Sequence, residues 1–333
     1  MAPRHPLVIG HRGAPAHRPE HTLASYVLAA RLGADYLEPD LVATADGVLV
    51  ARHEPELGGT TDIAAHPEFA DRHTTRVVDG RPCTGWFVDD LTLAELRTLR
   101  TRERLPALRP TNTRFDGRFR VPTFAEVLDL RARLSARLGR SIGVYPETKN
   151  PGYFAERGVP LEPALVEALR TADLDRRGAP VFVQSFAAES LRELRTAVRV
   201  PLVHLVDGDE PELVTPGGLA AIAEHADAVG VPKSLVVPRT ATGTLGEPGP
   251  LVADAHAAGL AVHAYTFRSE NAFLPAGLRS GPGDADLGDG REECAAFLGA
   301  GVDGLFADDP GTAVAARELV LAGAGGQTMR RSS

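Results

Sequence analysis

The sequence predicts an α/β fold, a TIM (β/α)8 barrel, on three observations. Eight apolar runs of strand length recur along the chain, each followed by a helical segment or an insertion. Eight βα units in about 320 residues is the size of such a barrel with insertions. The rival architecture, a doubly wound open sheet, lacks its usual sign, because no Gly-x-Gly-x-x-Gly turn follows the first run. In a TIM barrel the chemistry gathers at the carboxyl ends of the strands. The residues that end each run are therefore the candidates for a site.

The first run, 7–9, opens directly into His11-Arg12-Gly13. Apolar residues at helical spacing (Leu23, Tyr26, Val27, Ala30) predict a helix over 22–32, with Thr22 as its N-cap and Gly33 as its stop. The second run, 36–44, carries Glu38 and Asp40, and a separation of two puts both carboxylates on one face of a strand. Its continuation, 48–53, follows the turn Ala45-Asp46-Gly47 and ends in His53. Residues 55–122 break the rhythm. They are polar, punctuated by Gly and Pro, with one short helical stretch at 93–99, and read as an inserted cap. The alternation then resumes. Helix 124–138 precedes strand 141–146, helix 163–172 precedes strand 180–186, and helix 189–197 precedes strand 201–206. Helix 217–225 precedes strand 228–231, and helix 250–258 precedes strand 260–267. A smaller insertion at 270–290, rich in Gly and Asp, separates these from helix 292–299, strand 302–307 and helix 312–321. Residues 1–322 thus read as one barrel domain, with a Gly-rich, polar and disordered tail at 323–333.

Composition narrows the functions. An apolar content of 43% fills a core, and 5% aromatic makes that core mostly aliphatic. A net charge of −8 speaks against nonspecific nucleic-acid binding, which needs a basic surplus to displace counterions. No apolar run reaches the roughly 18–20 residues of a membrane span, so no stable membrane anchor is expected. The first strand is expected within a few residues of the start, which leaves no room for a signal peptide in this reading. A cytoplasmic location is the expectation, or a secreted one if the sequence is a processed form. Cys83 and Cys294 allow at most one disulfide and read as free thiols. The basic residues are nearly all Arg, which makes the two lysines, Lys149 and Lys233, stand out.

By this reading His11, Glu38, Asp40, His53, Glu147, Gln184, Lys233, His263 and Phe306 all sit at strand ends. Glu38, Asp40 and Glu147 would converge if the first three strands are neighbours. Three carboxylates that close repel one another. Either a hard divalent cation relieves the repulsion, for which oxygen ligands suit Ca2+ or Mg2+, or ion pairs with Arg12 and Lys149 do. His11 and His53 flank the carboxylates, and a histidine pair can supply one acid and one base near neutral pH. Arg12 can present its planar fork to phosphate oxygens or bridge two acids. Lys149 shares a strand face with Glu147 and can meet a phosphoryl oxygen. Tyr265, His263 and Phe306 can wall a pocket, and Gln184 can place one hydrogen bond. His21 reads as a residue of the helix start that orients the loop; the other seven histidines read as structural or surface residues.

These residues resemble the glycerophosphodiester phosphodiesterase family. The resemblance rests on His11-Arg12-Gly13, Pro19-Glu20-His21-Thr22, Gly33-Ala34-Asp35, Glu38-Pro39-Asp40, Asp46-Gly47, His53 and, later, Glu147-Thr148-Lys149. It runs from about residue 7 to 317, dense before 54 and sparse after 150. The long insertion and His263-Ala264-Tyr265-Thr266 look most like the bacterial periplasmic branch, which binds calcium. One departure is visible: the family's Asp after the second His is Glu54 here. The resemblance implies hydrolysis of glycerophosphodiesters to glycerol 3-phosphate and an alcohol. It also implies His11 and His53 as general acid and base, and one divalent cation, Ca2+ ahead of Mg2+, on Glu38, Asp40 and Glu147.

Two further readings stand beside it. A lysophospholipase D or sphingomyelinase D on the same site plan would want an apolar entrance, against which the polar insertions speak. A noncatalytic phosphate-ligand-binding barrel would commonly have lost a His or a ligand, and all five positions are intact. A glycosidase is disfavoured, because its two carboxylates come from different strands about 5–10 Å apart. The expected partner is a small-molecule glycerophosphodiester; the sequence gives no oligomeric state.

Overall fold

The structure, a computed structural model, describes residues 5–331, with side chains described from 5 to 323. Eight parallel strands close into a barrel, and two of them are broken in the middle. The first is β1 (Leu7–His11); the second is β2 (Tyr36–Glu38) and β3 (Asp40–Ala43), interrupted at Pro39. A hairpin strand β4 (Leu49–Ala51) pairs antiparallel with β3 and lies outside the barrel count. Strands β5 (Thr74–Val78) and β6 (Arg81–Gly85) form a separate hairpin. The third barrel strand is β7 (Gly143–Val144) and β8 (Glu147–Thr148), interrupted at Tyr145-Pro146. Then come β9 (Val183–Ser185), β10 (Leu202–Leu205), β11 (Ala228–Pro232), β12 (Ala261–Phe267) and β13 (Gly304–Ala307). β13 pairs with β1 and so shuts the ring. The broken strands share one seam: β2 pairs with β7 and β3 with β8.

Helices cover the outside, and local chemistry sets their ends. In α1 (Leu23–Arg31), Thr22 caps the start by accepting from the Ser25 N–H. A capping box of Thr123 and Glu126 starts α3 (Phe124–Leu138), which follows the one-turn α2 (Leu93–Leu96). Gly139 ends it in the left-handed region at φ 63°. The remaining helices are α4 (Pro151–Glu156), α5 (Leu161–Thr171), α6 (Ala188–Ala197), α7 (Pro216–Ala223), α8 (Lys233–Val236), α9 (Leu251–Ala257), α10 (Gly290–Gly299) and α11 (Pro310–Arg331). Of these, α4 and α8 have no counterpart in the sequence reading, being too short for helical periodicity to show. The barrel interior is filled by Leu7, Ile9, Tyr145, Val203, Ala228 and Phe306, a packed core rather than a pore.

The backbone of α11 runs on to Arg331, into the stretch read as a tail, and residues 332–333 lie outside those described. Two expectations need correction. Lys233 does not reach the barrel mouth: it starts α8, and its ammonium is held by Glu293 at 2.7 and 2.8 Å. His263 lies a layer below the pocket, buried, with Nδ1 2.7 Å from the Tyr145 hydroxyl.

Residues 55–122 carry an apolar base of their own. Leu57, Ile63, Phe69, Phe87, Val88 and Leu91 are buried in the larger helix-side core. The β5–β6 hairpin turns at Asp79-Gly80, both with positive φ (45° and 76°), the pairing that a two-residue hairpin turn favours. In the second insertion, the Asn271 amide donates to the carbonyls of Ser280 and Gly283, which holds the Gly-rich loop in shape.

Candidate active site

Strand register delivers the site. His11 stands opposite Glu38, Asp40 opposite Glu147, and Glu147 opposite Gln184. These pairings carry one row of side chains around the carboxyl ends of β1 to β9. His53 comes in from the loop after β4 rather than from a strand end. A cavity of about 120 Å³ is lined by His11, Arg12, Glu38, Asp40, His53, Glu147, Lys149 and Gln184, with Phe186, Leu205, Tyr265, Thr266 and Phe306 completing its wall. Ten of the twelve candidate residues thus meet at one mouth, and Lys233 and His263 do not.

The turn that carries Arg12 is conformationally special. Arg12 adopts φ 54° and Gly13 φ 98°. A Cβ on Gly13 would lie 2.4 Å from the Ser25 hydroxyl, so only glycine fits against α1 here. Left-handed backbone at a non-glycine residue is a cost that the surrounding structure must hold in place. The gain is that the Arg12 N–H points inward and donates to Glu38 Oε2 at 2.7 Å.

The three carboxylates are nearly solvent-free and lie within metal-ligand reach. One oxygen from each of Glu38, Asp40 and Glu147 falls within 4.8 Å of the others. The cations that ion pairing alone would require are also there. Arg12 Nε is 3.3 Å from Asp40 Oδ2, and Lys149 Nζ is 2.8 Å from Glu147 Oε1 at an angle outside hydrogen-bond geometry. Two cations do not neutralise three buried anions, and Arg12 is also shared with Glu20. Burial, then the neighbouring Asp40 and Glu147, push the Glu38 carboxyl well above its ordinary range. Glu147 is pushed up to about 8 by burial and by Asp40, with Lys149 opposing. Asp40 goes the other way: burial would raise it, but Lys149, the His21 hydrogen bond and Arg12 hold it well below. Glu147 Oε1 and Gln184 Oε1 are buried without a hydrogen-bond partner among the described residues. A set of hard oxygens with excess negative charge and unsatisfied acceptors fits a hard divalent cation.

The two histidines differ. His11 Nδ1 lies 2.6 Å from Asp308 Oδ1, which leaves Nε2 for the pocket. Burial and Arg12 push its pKa down to about 4, against the pull of Asp308. His53 has Nε2 3.3 Å from the Lys149 ammonium, and Nδ1 3.4 Å from Glu54 without a hydrogen bond. A third of its side chain meets solvent. Burial, Arg12 and Lys149 lower its pKa as well.

Partners of these groups account for what the sequence reading missed. His21 is more than a loop residue, since Nε2 meets Asp40 at 2.9 Å and Nδ1 meets the Tyr26 hydroxyl at 2.8 Å. Gln184 is used first on a neighbour, donating to Glu38 Oε1 at 3.2 Å. The Tyr265 hydroxyl is tied to the Val206 carbonyl at 2.6 Å, so only its ring faces the cavity. Asp308 follows the eighth strand directly, and the strand-end rule applied to that residue finds it. Arg104 links Glu20 to Glu54, and Arg109 reaches Asp308. Neither had a signal, because arginine is the background base of this chain.

A barrel whose mouth joins three buried carboxylates, which could hold a divalent cation, to two histidines and two basic side chains fits a hydrolase of anionic esters. Comparison with known proteins narrows the class. The model of the Glycerophosphoryl diester phosphodiesterase family matches residues 11–312. A glycerophosphodiester phosphodiesterase of Arabidopsis thaliana is 34% identical over 330 residues, covering 92% of this chain and 84% of the plant protein. A glycerophosphodiester phosphodiesterase of Haemophilus influenzae is 29% identical over 256 residues, 67% of this chain and 68% of its own. Among solved structures, a phosphodiesterase of Oleispira antarctica in complex with the product sn-glycerol-3-phosphate superposes with a TM-score of 0.64 at 20% identity. The match covers 94% of this chain and 96% of that one. The chain belongs to the glycerophosphoryl diester phosphodiesterase family. The TIM barrel expected from the sequence is the family's fold, and the enzyme is a phosphodiesterase.

Proposed function

We propose that the enzyme hydrolyses glycerophosphodiesters to glycerol 3-phosphate and an alcohol with one divalent cation and two histidines. The observation that carries this reading is the gathering of Glu38, Asp40 and Glu147 between His11 and His53. The cation would be held by those three carboxylates, and when bound it supplies positive charge to the phosphate's nonbridging oxygens. Ca2+ is put ahead of Mg2+ on the likeness of the insertion and of residues 263–266 to the calcium-binding periplasmic branch. The oxygen donors suit either ion.

The protein groups divide the remaining work. Arg12 and Lys149 face the same cavity and bind the phosphate's negative charge. His11 is neutral at rest, with Nε2 toward the cavity and Asp308 ready to stabilise the imidazolium. It takes the proton from the nucleophile, which is either water or the neighbouring glycerol hydroxyl; in the second case the alcohol leaves a cyclic phosphate, which water then opens to glycerol 3-phosphate. His53 gives a proton to the leaving alkoxide. Burial first, then the cations Arg12 and Lys149, keep it neutral; a bound phosphate anion offsets the two charges and so moves the ring toward the protonated form. Phe186, Tyr265 and Phe306 wall the side left for the alcohol groups. The test is an assay of glycerol 3-phosphate release from a panel of glycerophosphodiesters, before and after EDTA and after adding back Ca2+ or Mg2+. Release that stops with chelator and returns with the ion supports the reading. Release that survives exhaustive chelation removes the cation from it.

A further inference from the structure

Asp308 presents its two oxygens in opposite directions. Oδ1 faces His11, and Oδ2 accepts from Arg109 Nη2 at 2.6 Å and from Arg268 Nε at 2.9 Å. Arg109 comes from the first insertion, just before a 3-10 turn that begins at Pro110. Its other edge is held as firmly: Nε donates to Glu270 Oε1 at 2.5 Å, and Glu270 opens the second insertion. All three members of this chain are buried, Arg109 at 6%, Glu270 at 3% and Asp308 at 2% exposure. Arg268 is the contrasting partner, with a quarter of its side chain in solvent and its guanidinium 4.6 Å from the Phe273 ring. The first insertion is fastened to the barrel close by, where the Asn112 amide donates to the Pro15 carbonyl at 3.0 Å.

A carboxylate held on one oxygen alone can turn about its last torsion and release the ring it supports. One held on both cannot, and of the two donors to Oδ2 Arg109 is the buried one that is itself held on its far edge, by Glu270. The guanidinium fork suits this task because it is planar and carries donors on two edges, one for Asp308 and one for Glu270. We propose that Arg109 is a positioning residue of the reaction: by pinning Asp308 between the two insertions, it keeps His11 in the Nδ1–H form with Nε2 turned to the substrate. The insertions are then part of the acid–base machinery, not only a cover over it. Neither arginine on Asp308 touches the cavity, so Arg109 acts through Asp308 and His11 alone.

The inference rests on the proposed role of His11, and two separate readouts keep the two apart. His11→Ala tests the role, through activity. The imidazole nitrogen spectrum of 15N-labelled enzyme tests the brace, through the His11 tautomer, with the His11 signals assigned by their loss in His11→Ala. Arg109→Lys keeps the charge but supplies a single point donor in place of the fork. It is expected to lower kcat about 10- to 100-fold, the size seen when groups that orient metal-bound histidines are lost and less than the loss of Asp308 itself would cost. KM should stay within about twofold and the protein should stay folded, and the His11 signals should show a mixture of tautomers. Glu270→Gln, which loosens only the far edge of Arg109, is expected to move the same two readouts in the same direction by less. Should Arg109→Lys not fold, Glu270→Gln decides the question by the same pair of measurements. Wild-type kcat in the folded Arg109→Lys enzyme overturns the proposal. So does a lowered kcat with the His11 tautomer unchanged, which would make Arg109 a brace for the fold alone.

Discussion

The two sides of the active site are built differently, although each presents a histidine to the same cavity. On one side His11 ends a barrel strand, and a chain of buried groups (Asp308, Arg109, Glu270) fixes its ring from behind. On the other, His53 sits past a hairpin strand with a third of its side chain exposed, and its carboxylate neighbour, 3.4 Å away, lies outside hydrogen-bond geometry. Arg104 completes a parallel arrangement there by holding Glu54 and Glu20, but the last link to the histidine is loose. The difference fits a division of labour. A base needs a partner that stabilises the charge it acquires, whereas an acid that meets a variety of leaving alcohols gains from some freedom. Between the two sides lies the acidic floor they share.

Breaking the shared floor should have the largest effect and should silence both sides. Ca2+ or Mg2+ is expected to raise the melting temperature of the parent enzyme, since a ligand of the native state stabilises by mass action, and Glu147→Gln is expected to remove that rise and to abolish glycerol 3-phosphate release. Retained activity together with a retained thermal shift would take Glu147 out of the cation site. A smaller effect is expected from Lys149→Arg. Lys149 stands between Glu147 and His53, 2.8 Å from one and 3.3 Å from the other. A broad, planar guanidinium does not replace a compact ammonium in that gap. Turnover should fall at least about tenfold, which is about 1.4 kcal/mol of transition-state stabilisation. Isothermal titration should find cation affinity changed less than turnover. An unchanged turnover would reduce Lys149 to a counter-charge.

The braces themselves give the sharpest contrast. Glu54→Gln is expected to lower kcat by less than about tenfold, below the range expected when an orienting partner is lost, because no hydrogen bond joins it to His53. Asp308→Asn should cost far more, since loss of an ion-paired carboxylate behind a catalytic histidine costs about 10⁴ in the best-known case. Equal losses in the two variants would erase the asymmetry.

The smallest effect concerns stability against pH, and its sign follows from the His11 side. The pKa of His11 is about 4 when folded and roughly 6.5 when unfolded. As pH falls from about 6.5 toward 4, the unfolded chain takes up this proton before the native state does, and stability is lost. Asp308 works in a lower window. Burial would raise it, but Arg268, Arg109 and the His11 hydrogen bond hold its carboxyl well below its ordinary range. Its contribution is present above the unfolded value and is lost as pH falls below about 4. Urea titrations across this range should show His11→Asn losing less stability than the parent between pH 6.5 and 4. An identical slope in the two proteins would leave His11 out of the acid response.

Much of the site could be read from the sequence because barrel strands impose order on it. Glu38, Asp40 and Glu147 come together through strand register alone, so a reading that found the strands also found the carboxylates. Thr22 as a cap and Gly33 as a stop were legible for the same local reason. What escaped was carried by contacts between distant segments. Arg109 and Asp308 are 199 positions apart, and Arg104 and Glu20 are 84 apart. Arginine is the background base of this chain, so nothing marks the two that matter. Lys233 shows the opposite error, where rarity suggested chemistry and the structure gives a buried ion pair with Glu293. The β5–β6 hairpin had a sequence signal in Asp79-Gly80, but the flanking strands are mostly exposed and their apolar alternation is weak.

The claim that the two histidines do different work is tested most directly by changing the leaving group. His11→Ala and His53→Ala should each lose about 10²–10⁴ in turnover on a glycerophosphodiester with an ordinary alcohol, while staying folded. With p-nitrophenol as the leaving group, no proton is needed at the departing oxygen. His53→Ala should then regain most of its rate relative to the parent, and His11→Ala should regain none. Recovery in His11→Ala instead, or equal recovery in both, would contradict the assignment and with it the account of why the two sides are built differently.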